Sequence, residues 1–577
     1  MKITTQWILI SMVLLGVGRE DTQAQTAETI FHNGTIVTVD SEFTIGNAMA
    51  IAKGRVLRVG MTEEVMATRG QDTQVIDLQG KTVLPGLIDS HTHPTGASMH
   101  EFDHPIADLE TIEDVLKYIK ERADILGEGK WIIVRQVFIT RLKEQRYPTK
   151  EELDQVAPNN PVLFATGPDA SLNSLALTLS GIDEHFEPEG PGKVERDPKT
   201  GKPTGILRNL TRYVKSESTG RSPSRVESDE RLIALFRDYN SVGITSIIDR
   251  NASSSAIEQY SRIYDSDDLT VRIGLSHAVD SSGPLEEIEA NIRKVADNAL
   301  RTDDSMLRTV GIKMFLDGGM LTGSAYMRKP WGVSSIYSID DPEYRGVLFI
   351  PPERLQPMVR ATVQAGLQFT AHSVGDGAVH VLLDAYESVN NELLIAPTRP
   401  CLTHSNFMSQ ESIDQAARLG VVVDIQPAWL YLDTRTLVAQ FGYDRLRYFQ
   451  PLQSLFQAGV TVGGGSDHMQ KIGSFRSINP YNPFLGMWVA TTRQARGFEG
   501  SLHPEEALTR EQAIRFYTIN NAKLMFLENE IGSLETGKRA DFILLDRNIL
   551  TCSDEELVEA SVLATYLEGS LVYAHHN

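Results

Sequence analysis

The chain has 577 residues, 55 lysines and arginines against 76 aspartates and glutamates, and only 2 cysteines, for a formal net charge of -21. A hydrophobic share of 41% with 23% charged residues suits a globular chain with a large core and excludes a disordered or collagen-like polymer. The acidic balance argues against a nucleic-acid partner, and two cysteines make neither a disulfide scaffold nor a multi-cysteine zinc site.

Met1-Lys2, an apolar stretch from Trp7 to Val17 and a polar run from Gly18 to Gln25 have the pattern of a secretory signal spanning residues 1–24 and cleaved after Ala24, with an uncleaved anchor as the alternative. A bilayer span needs about 20 apolar residues, so no stable membrane insertion is expected after cleavage, and the mature chain is expected to be exported, either periplasmic or secreted. Cys401 and Cys552 have no positive sign of pairing. The sequons at Asn33, Asn209 and Asn251 are short enough to arise by chance.

Between residues 28 and 83, short alternating stretches are broken by Asn33-Gly34 and Lys53-Gly54 where hairpin turns belong, which predicts antiparallel strands. Matching strands at Asp541–Asp546 and Leu571–Tyr573 suggest one β-sandwich composed of residues 25–82 and 530–577. The region between, 83–529, alternates strand-like runs with helical patterns. The runs fall at Val83–Ile88, Gly243–Ile248, Thr270–Leu275, Val310–Phe315, Leu367–Ala371, Pro400–Thr403, Gly420–Ile425 and Gly459–Gly463. Eight such runs fit an α/β fold of the (β/α)8 TIM-barrel type, with a doubly wound sheet as the alternative. Residues from about 95 to 240 exceed a single crossover and are read as an α+β insertion over the barrel mouth.

The chemistry sits at the ends of those runs. His91 and His93 follow a buried strand and lie two residues apart, so both point to one side and form a candidate metal pair. His372, His404 and Asp467 close three further runs, and barrel enzymes draw their reactive groups from the C-terminal ends of different strands. Lys313 lies inside an apolar run. A buried lysine needs a partner or a neutral form. Asp317 is one expected partner; the other reading is an amine converted by carbon dioxide to a carbamate that bridges two metal ions.

The motifs Pro85-Gly-Leu-Ile-Asp-Ser-His-Thr-His-Pro94, Ile312-Lys-Met-Phe-Leu-Asp-Gly318, Ala371-His-Ser-Val-Gly-Asp376, Thr403-His404, Gly465-Ser-Asp467 and Gly537-Lys-Arg-Ala-Asp-Phe-Ile-Leu-Leu-Asp546 resemble, in this order, the amidohydrolase superfamily. Within it they are most similar to family 3, the group of the N-substituted formamide deformylases and YtcJ-type hydrolases. The resemblance implies that His91 and His93 hold one metal, His372 and His404 a second, that Lys313 bridges them, and that Asp467 is both ligand and proton shuttle. The implied cofactor is a divalent metal, zinc foremost, with one or two ions per chain. The implied reaction is hydrolysis of a non-peptide carbon–nitrogen bond in a small linear amide (N-acyl or N-formyl), by metal-activated hydroxide.

The chain departs from the family pattern at Thr166-Gly-Pro168 ahead of Asn173-Ser174, at Gly377, and at His468-Met469, all near the expected substrate site. A cyclic amidase, a deaminase and a non-catalytic exported binding or regulatory protein are therefore the alternatives. Asp89 is a candidate partner for a metal-binding imidazole, and His100, His104 and His468 are candidates for substrate contact. Homo-oligomer formation is left open.

Overall fold

The computed structural model describes residues 26–575 except 168, 190–191, 219, 299 and 301–303. The expected signal segment lies outside the described residues.

The eight barrel strands are β1 (Leu87–Thr92), β2 (Ile244–Ala252), β3 (Arg272–Ala278), β4 (Leu307–Phe315), β5 (Gln368–Ser373), β6 (Cys401–His404), β7 (Val422–Ile425) and β8 (Val462–Gly464). They pair in parallel, each with its sequence neighbours, from β1 to β8. The seam between β8 and β1 is closed by loop residues. Asp467 N–H donates to His91 O at 2.8 Å, and His93 N–H donates to His468 O at 2.8 Å. The architecture is a nearly closed α/β barrel of eight parallel strands. Helices between strands begin and end on local signals. Gln410–Leu419 starts at the Ser409 N-cap and stops at Gly420, whose φ of 66° suits glycine. The largest apolar cluster runs between the strands and these helices, from Ile312 and Phe369 to Leu382, Ile413 and Val462.

The first expected barrel run needs a correction. Val83–Ile88 is not one strand. Thr82–Pro85 pairs antiparallel with Phe542–Leu545 in a different sheet, and the barrel strand starts at Leu87. Gly86 is the pivot. Its N–H donates to Asp541 O, and a Cβ there would stand 2.2 Å from Thr245 Oγ1, so only glycine fits where the chain passes between sheets. The second sheet joins N-terminal strands (Ala27–Val37, Ile45–Ala52, Arg55–Gly60, Arg69–Asp77, Thr82–Pro85) to C-terminal ones (Phe542–Leu545, Val562–Leu567, Ser570–Ala574). A third sheet of five strands, spanning Ile132–Arg208, lies in the long connection between β1 and β2. Cys401 and Cys552 are both free thiols.

Candidate metal centre

His91 is the fifth residue of β1, and His93 follows directly after the strand as the N-cap of the short helix Pro94–Met99. Their Nε2 atoms are 3.3 Å apart. Asp467 comes from the segment after β8, which lies flat against β1 because Gly465 has no side chain; a Cβ there would be 2.8 Å from His91 N. Asp467 Oδ1 stands 3.5 Å from His91 Nε2 and 3.2 Å from His93 Nε2. Asn479 Nδ2 donates to Asp467 O at 2.8 Å and holds the turn in place.

His372 on β5 and His404 on β6 face one another with ring centroids 4.5 Å apart, and His404 lies 4.7 Å from the His91 ring. Trp429 stacks on His404 at 4.9 Å. Asp467, His404 and Ser405 adopt φ of 56°, 70° and 42°, a region non-glycine residues visit rarely and which costs about 1–3 kcal/mol each. These three residues lie at or just after the ends of β6 and β8, beside the reactive side chains. Lys313 on β4 is buried. Its Nζ lies 5.7 Å from the Phe315 ring centre, and among the described residues no hydrogen bond or ion pair closes on it.

The structure thus brings His91, His93, Lys313, His372, His404 and Asp467 together on the wall of one cavity of about 210 Å³. Thr166, Gly167 and Met469, at positions where the chain departs from the family pattern, line the same cavity, whereas Asn173 caps the helix Ser174–Ser180.

Burial sets the protonation states. It holds His91 and His404 well below the usual histidine range, helped by Lys313 for His91 and by His372 for His404. His372 is pushed down to about 3 by burial and by Lys313. These three rings are therefore neutral, the form that binds metal. His93 behaves oppositely. Burial would lower it, but the Asp249 and Asp467 carboxylates outweigh this and raise it to about 9. A metal held by His93 would have to displace that proton, since only the neutral ring offers a lone pair. Burial lowers the Lys313 amine to about 8 and raises Asp467 above the ordinary carboxylate range.

Three groups that sequence reasoning missed orient the ligands. Asp424 on β7 accepts from His91 Nδ1 at 3.2 Å. Gln426, two residues on, accepts from His404 Nδ1 at 2.8 Å and donates to Asp424 Oδ1 at 2.6 Å. Asp249 on β2 stands 3.8 Å from His93 Nδ1. With Nδ1 engaged, His91 and His404 each leave Nε2 as the lone-pair nitrogen. The available signal was a carboxylate inside an apolar run, at Asp424 and at Asp249.

Other expectations are corrected. Asp89 does not orient an imidazole; its Oδ1 accepts the backbone N–H of His91 at 2.9 Å and of Ser466 at 3.0 Å. Asp317 does not pair with Lys313; it accepts three backbone N–H groups, from Tyr326, Val374 and Gly375, each at 2.9 Å. His468 is turned away from the cavity into a buried contact with Tyr239 Oη at 2.7 Å. His104 bonds Tyr118 Oη at 2.7 Å, and His100 lines a separate cavity.

The donor set fits a divalent metal. Among the described residues, one atom each from His91, His93 and Asp467 lies within 4.8 Å of the others, and two imidazoles with a carboxylate suit zinc.

A family model described as the amidohydrolase family matches residues 74–573. The chain is 29% identical to an N-substituted formamide deformylase of Arthrobacter pascens, covering 95% of this chain and 99% of that one. It is 25% identical to the amidohydrolase YtcJ of Bacillus subtilis, over 95% and 99% of the two chains. Among solved structures, a metal-dependent hydrolase from Pyrococcus horikoshii superposes with a TM-score of 0.66 at 22% identity, covering 91% of this chain and 99% of that one.

Proposed function

Because the chain belongs to the amidohydrolase family, we propose that this metal-dependent hydrolase of carbon–nitrogen bonds acts on a linear amide, N-acyl or N-formyl, with Asp467 as proton shuttle. The observation that carries the reading is the position of Asp467 Oδ1, 3.2 and 3.5 Å from the two imidazoles at the base of the cavity. His91, His93 and Asp467 would hold a zinc ion, and His372 and His404 offer a second imidazole pair. Bound there, the metal supplies a Lewis acid that polarises the carbonyl and lowers the pKa of water toward neutrality.

The chain's own residues perform the proton work. Asp467 accepts a proton from the attacking water and returns it to the departing nitrogen. That return is needed because an amide anion is a poor leaving group. Asp424 and Gln426 fix the rings of His91 and His404, and Trp429 shields one face of His404 from water. Lys313, desolvated and, among the described residues, without an ion partner, would take the carbamate role and supply an anionic oxygen donor. The apolar run Trp7–Val17 supports export of the mature chain.

The test is metal analysis of the purified protein together with a panel of N-formyl, N-acyl and cyclic amides. Stoichiometric metal with turnover of the linear amides is expected. A fully folded protein that takes up no metal would sink the reading.

A further inference from the structure

Asp467 presents Oδ1 to two imidazoles from a turn with φ of 56°, a backbone conformation that persists only where its surroundings hold it. Its own N–H is tied to His91 O. Its carbonyl and its other carboxylate oxygen both face Asn479, whose Nδ2 donates to Asp467 O at 2.8 Å and to Asp467 Oδ2 at 3.4 Å. Asn479 is buried and lines the metal cavity. With Oδ2 turned to Asn479, Oδ1 is the oxygen left for His91 and His93.

Asn479 can hold Asp467 in only one of its two amide orientations. Flipped, it would set its own Oδ1 against two oxygens of Asp467. Arg141 fixes the choice. It ends the short turn Ile139–Arg141 in the long connection between β1 and β2, and its Nη1 donates to Asn479 Oδ1 and to Ile478 O, both at 3.0 Å. A guanidinium carries donors only, so the amide must turn its oxygen to Arg141 and its nitrogen to Asp467. Arg141 is held in turn by Asp433, on the helix Pro427–Phe441 after β7, through a two-pronged pair at 2.9 and 2.8 Å. The two side chains are 10% and 1% exposed, and a buried fork of this kind has little freedom to rotate.

Docking of the long connection on the barrel does not depend on this contact. Gln145 Nε2 donates to Thr436 Oγ1 at 2.6 Å, Thr436 Oγ1 to Thr140 O at 3.0 Å, and Gln470 Nε2 to Gln136 Oε1 at 2.6 Å. Arg141 itself lines the neighbouring cavity and not the metal cavity. Its route to the metal centre therefore runs through Asn479.

We infer that Arg141 and Asn479 are positioning residues of the metal centre: Arg141 locks the Asn479 amide, and Asn479 aims Asp467 Oδ1 at the His91–His93 pair. A barrel site is thus completed by a residue of the long connection. This rests on the reading of His91, His93 and Asp467 as zinc ligands.

The experiment measures zinc dissociation constants of metal-stripped, full-length protein by competition with a chelator, so no substrate is needed. Asn479→Leu keeps the volume, removes the hydrogen bonds and leaves the Arg141–Asp433 pair in place. It and Arg141→Ala are each expected to weaken zinc binding about 10- to 100-fold. Because one acts through the other, the double variant is expected to match Asn479→Leu within about threefold. Guanidinium ion at a sub-denaturing concentration is expected to restore zinc affinity to Arg141→Ala and not to the double variant. Gln145→Ala, which loosens the same segment without touching Asn479, is expected to bind zinc within about twofold of the wild type. Wild-type affinity in Asn479→Leu overturns the inference, and decides it alone if Arg141→Ala does not fold. Losses that multiply in the double variant, or an equal loss in Gln145→Ala, also overturn it, since Arg141 then only fastens the connection to the barrel. A folded wild type that takes up no zinc overturns the ligand reading itself.

Discussion

The Asp424 carboxylate joins a metal-centre histidine to a buried arginine: one oxygen lies 3.2 Å from His91 Nδ1, the other 2.9 Å from Arg250 Nε. Arg250 is itself anchored, to Ser90 O at 3.0 Å and Gln368 Oε1 at 2.7 Å. His91 is therefore oriented by a chain of fixed polar groups reaching across the barrel core from β7 through β2 to β5. Asp424→Asn keeps the shape and removes the charge. Metal affinity is expected to fall about 10- to 100-fold. Stability is expected to fall by about 3–5 kcal/mol, because Arg250 is left buried without its counter-charge. Metal titration and urea denaturation measure the two effects separately, and a loss of neither removes Asp424 from the site.

The carbamate proposed for Lys313 predicts a dependence on dissolved carbon dioxide. Metal-stripped protein reloaded with zinc in the presence of bicarbonate is expected to regain several-fold more activity than protein reloaded in degassed, bicarbonate-free buffer. Lys313→Met abolishes that difference together with most of the activity. Equal recovery in both buffers by the wild type assigns Lys313 a plain desolvated amine.

Which parts of the site can be read from sequence follows from how far apart the participants lie along the chain. His91 and His93 are legible because strand alternation is local, and the barrel-end positions of His372, His404 and Asp467 are legible because each closes its own apolar run. The partners that orient them are not. Asp424 serves His91, more than 300 residues away, and the pairing exists only once β7 and β1 share a barrel. Sequence proximity also misleads. His468 is next to Asp467 yet is turned toward Tyr239, because the positive φ of Asp467 reverses the chain. Asp89 shares a strand face with His91 but is captured by backbone N–H groups at the seam. The hidden break at Gly86 has the same origin. Val83–Ile88 reads as one apolar run, and only Asp541 and Thr245, both distant in sequence, show that it serves two sheets.

His277 on β3 sets a pH dependence of stability. Its Nε2 lies 2.9 Å from Thr309 Oγ1, and burial pushes its pKa down from 6.5 to about 4. The unfolded chain thus binds a proton that the folded chain refuses between those two values. Its contribution is complete above about pH 6.5 and is lost as pH falls toward about 4, reaching at most about 3 kcal/mol. Urea midpoints at pH 7 and pH 5 are expected to differ less in His277→Asn than in the wild type, by about 2 kcal/mol in stability. Identical pH slopes contradict this assignment.

Arg272 ties the barrel to the sheet built from both chain ends. From the first position of β3 its guanidinium reaches Asp541 at 2.7 and 3.0 Å and Glu568 at 2.9 Å. The Arg272 and Asp541 side chains are buried. Arg272→Met leaves Asp541 uncompensated and is expected to cost about 3–5 kcal/mol. Because residue 272 is at the N-terminal end of its strand, opposite the reactive strand ends, kcat of the folded fraction should stay within about twofold. A denaturation curve with parallel kinetics checks both. Lost kcat at full folding would show that this contact also positions the site.

Asp467 is both a donor to the metal centre and the proposed proton carrier, and the two roles separate by leaving group. Asn at 467 retains a carbonyl oxygen toward His91 and His93 but cannot carry a proton. Asp467→Asn is expected to keep most of its metal while kcat on alkyl amides falls about 10²- to 10⁴-fold. On activated anilides, whose nitrogen leaves with less help, the loss should be smaller, since only the first proton transfer is affected. The slope of log kcat against leaving-group pKa therefore steepens in the variant if Asp467 returns the proton to nitrogen. If the slope is unchanged and metal content falls in step with activity, Asp467 is a ligand alone and another group must protonate the departing amine.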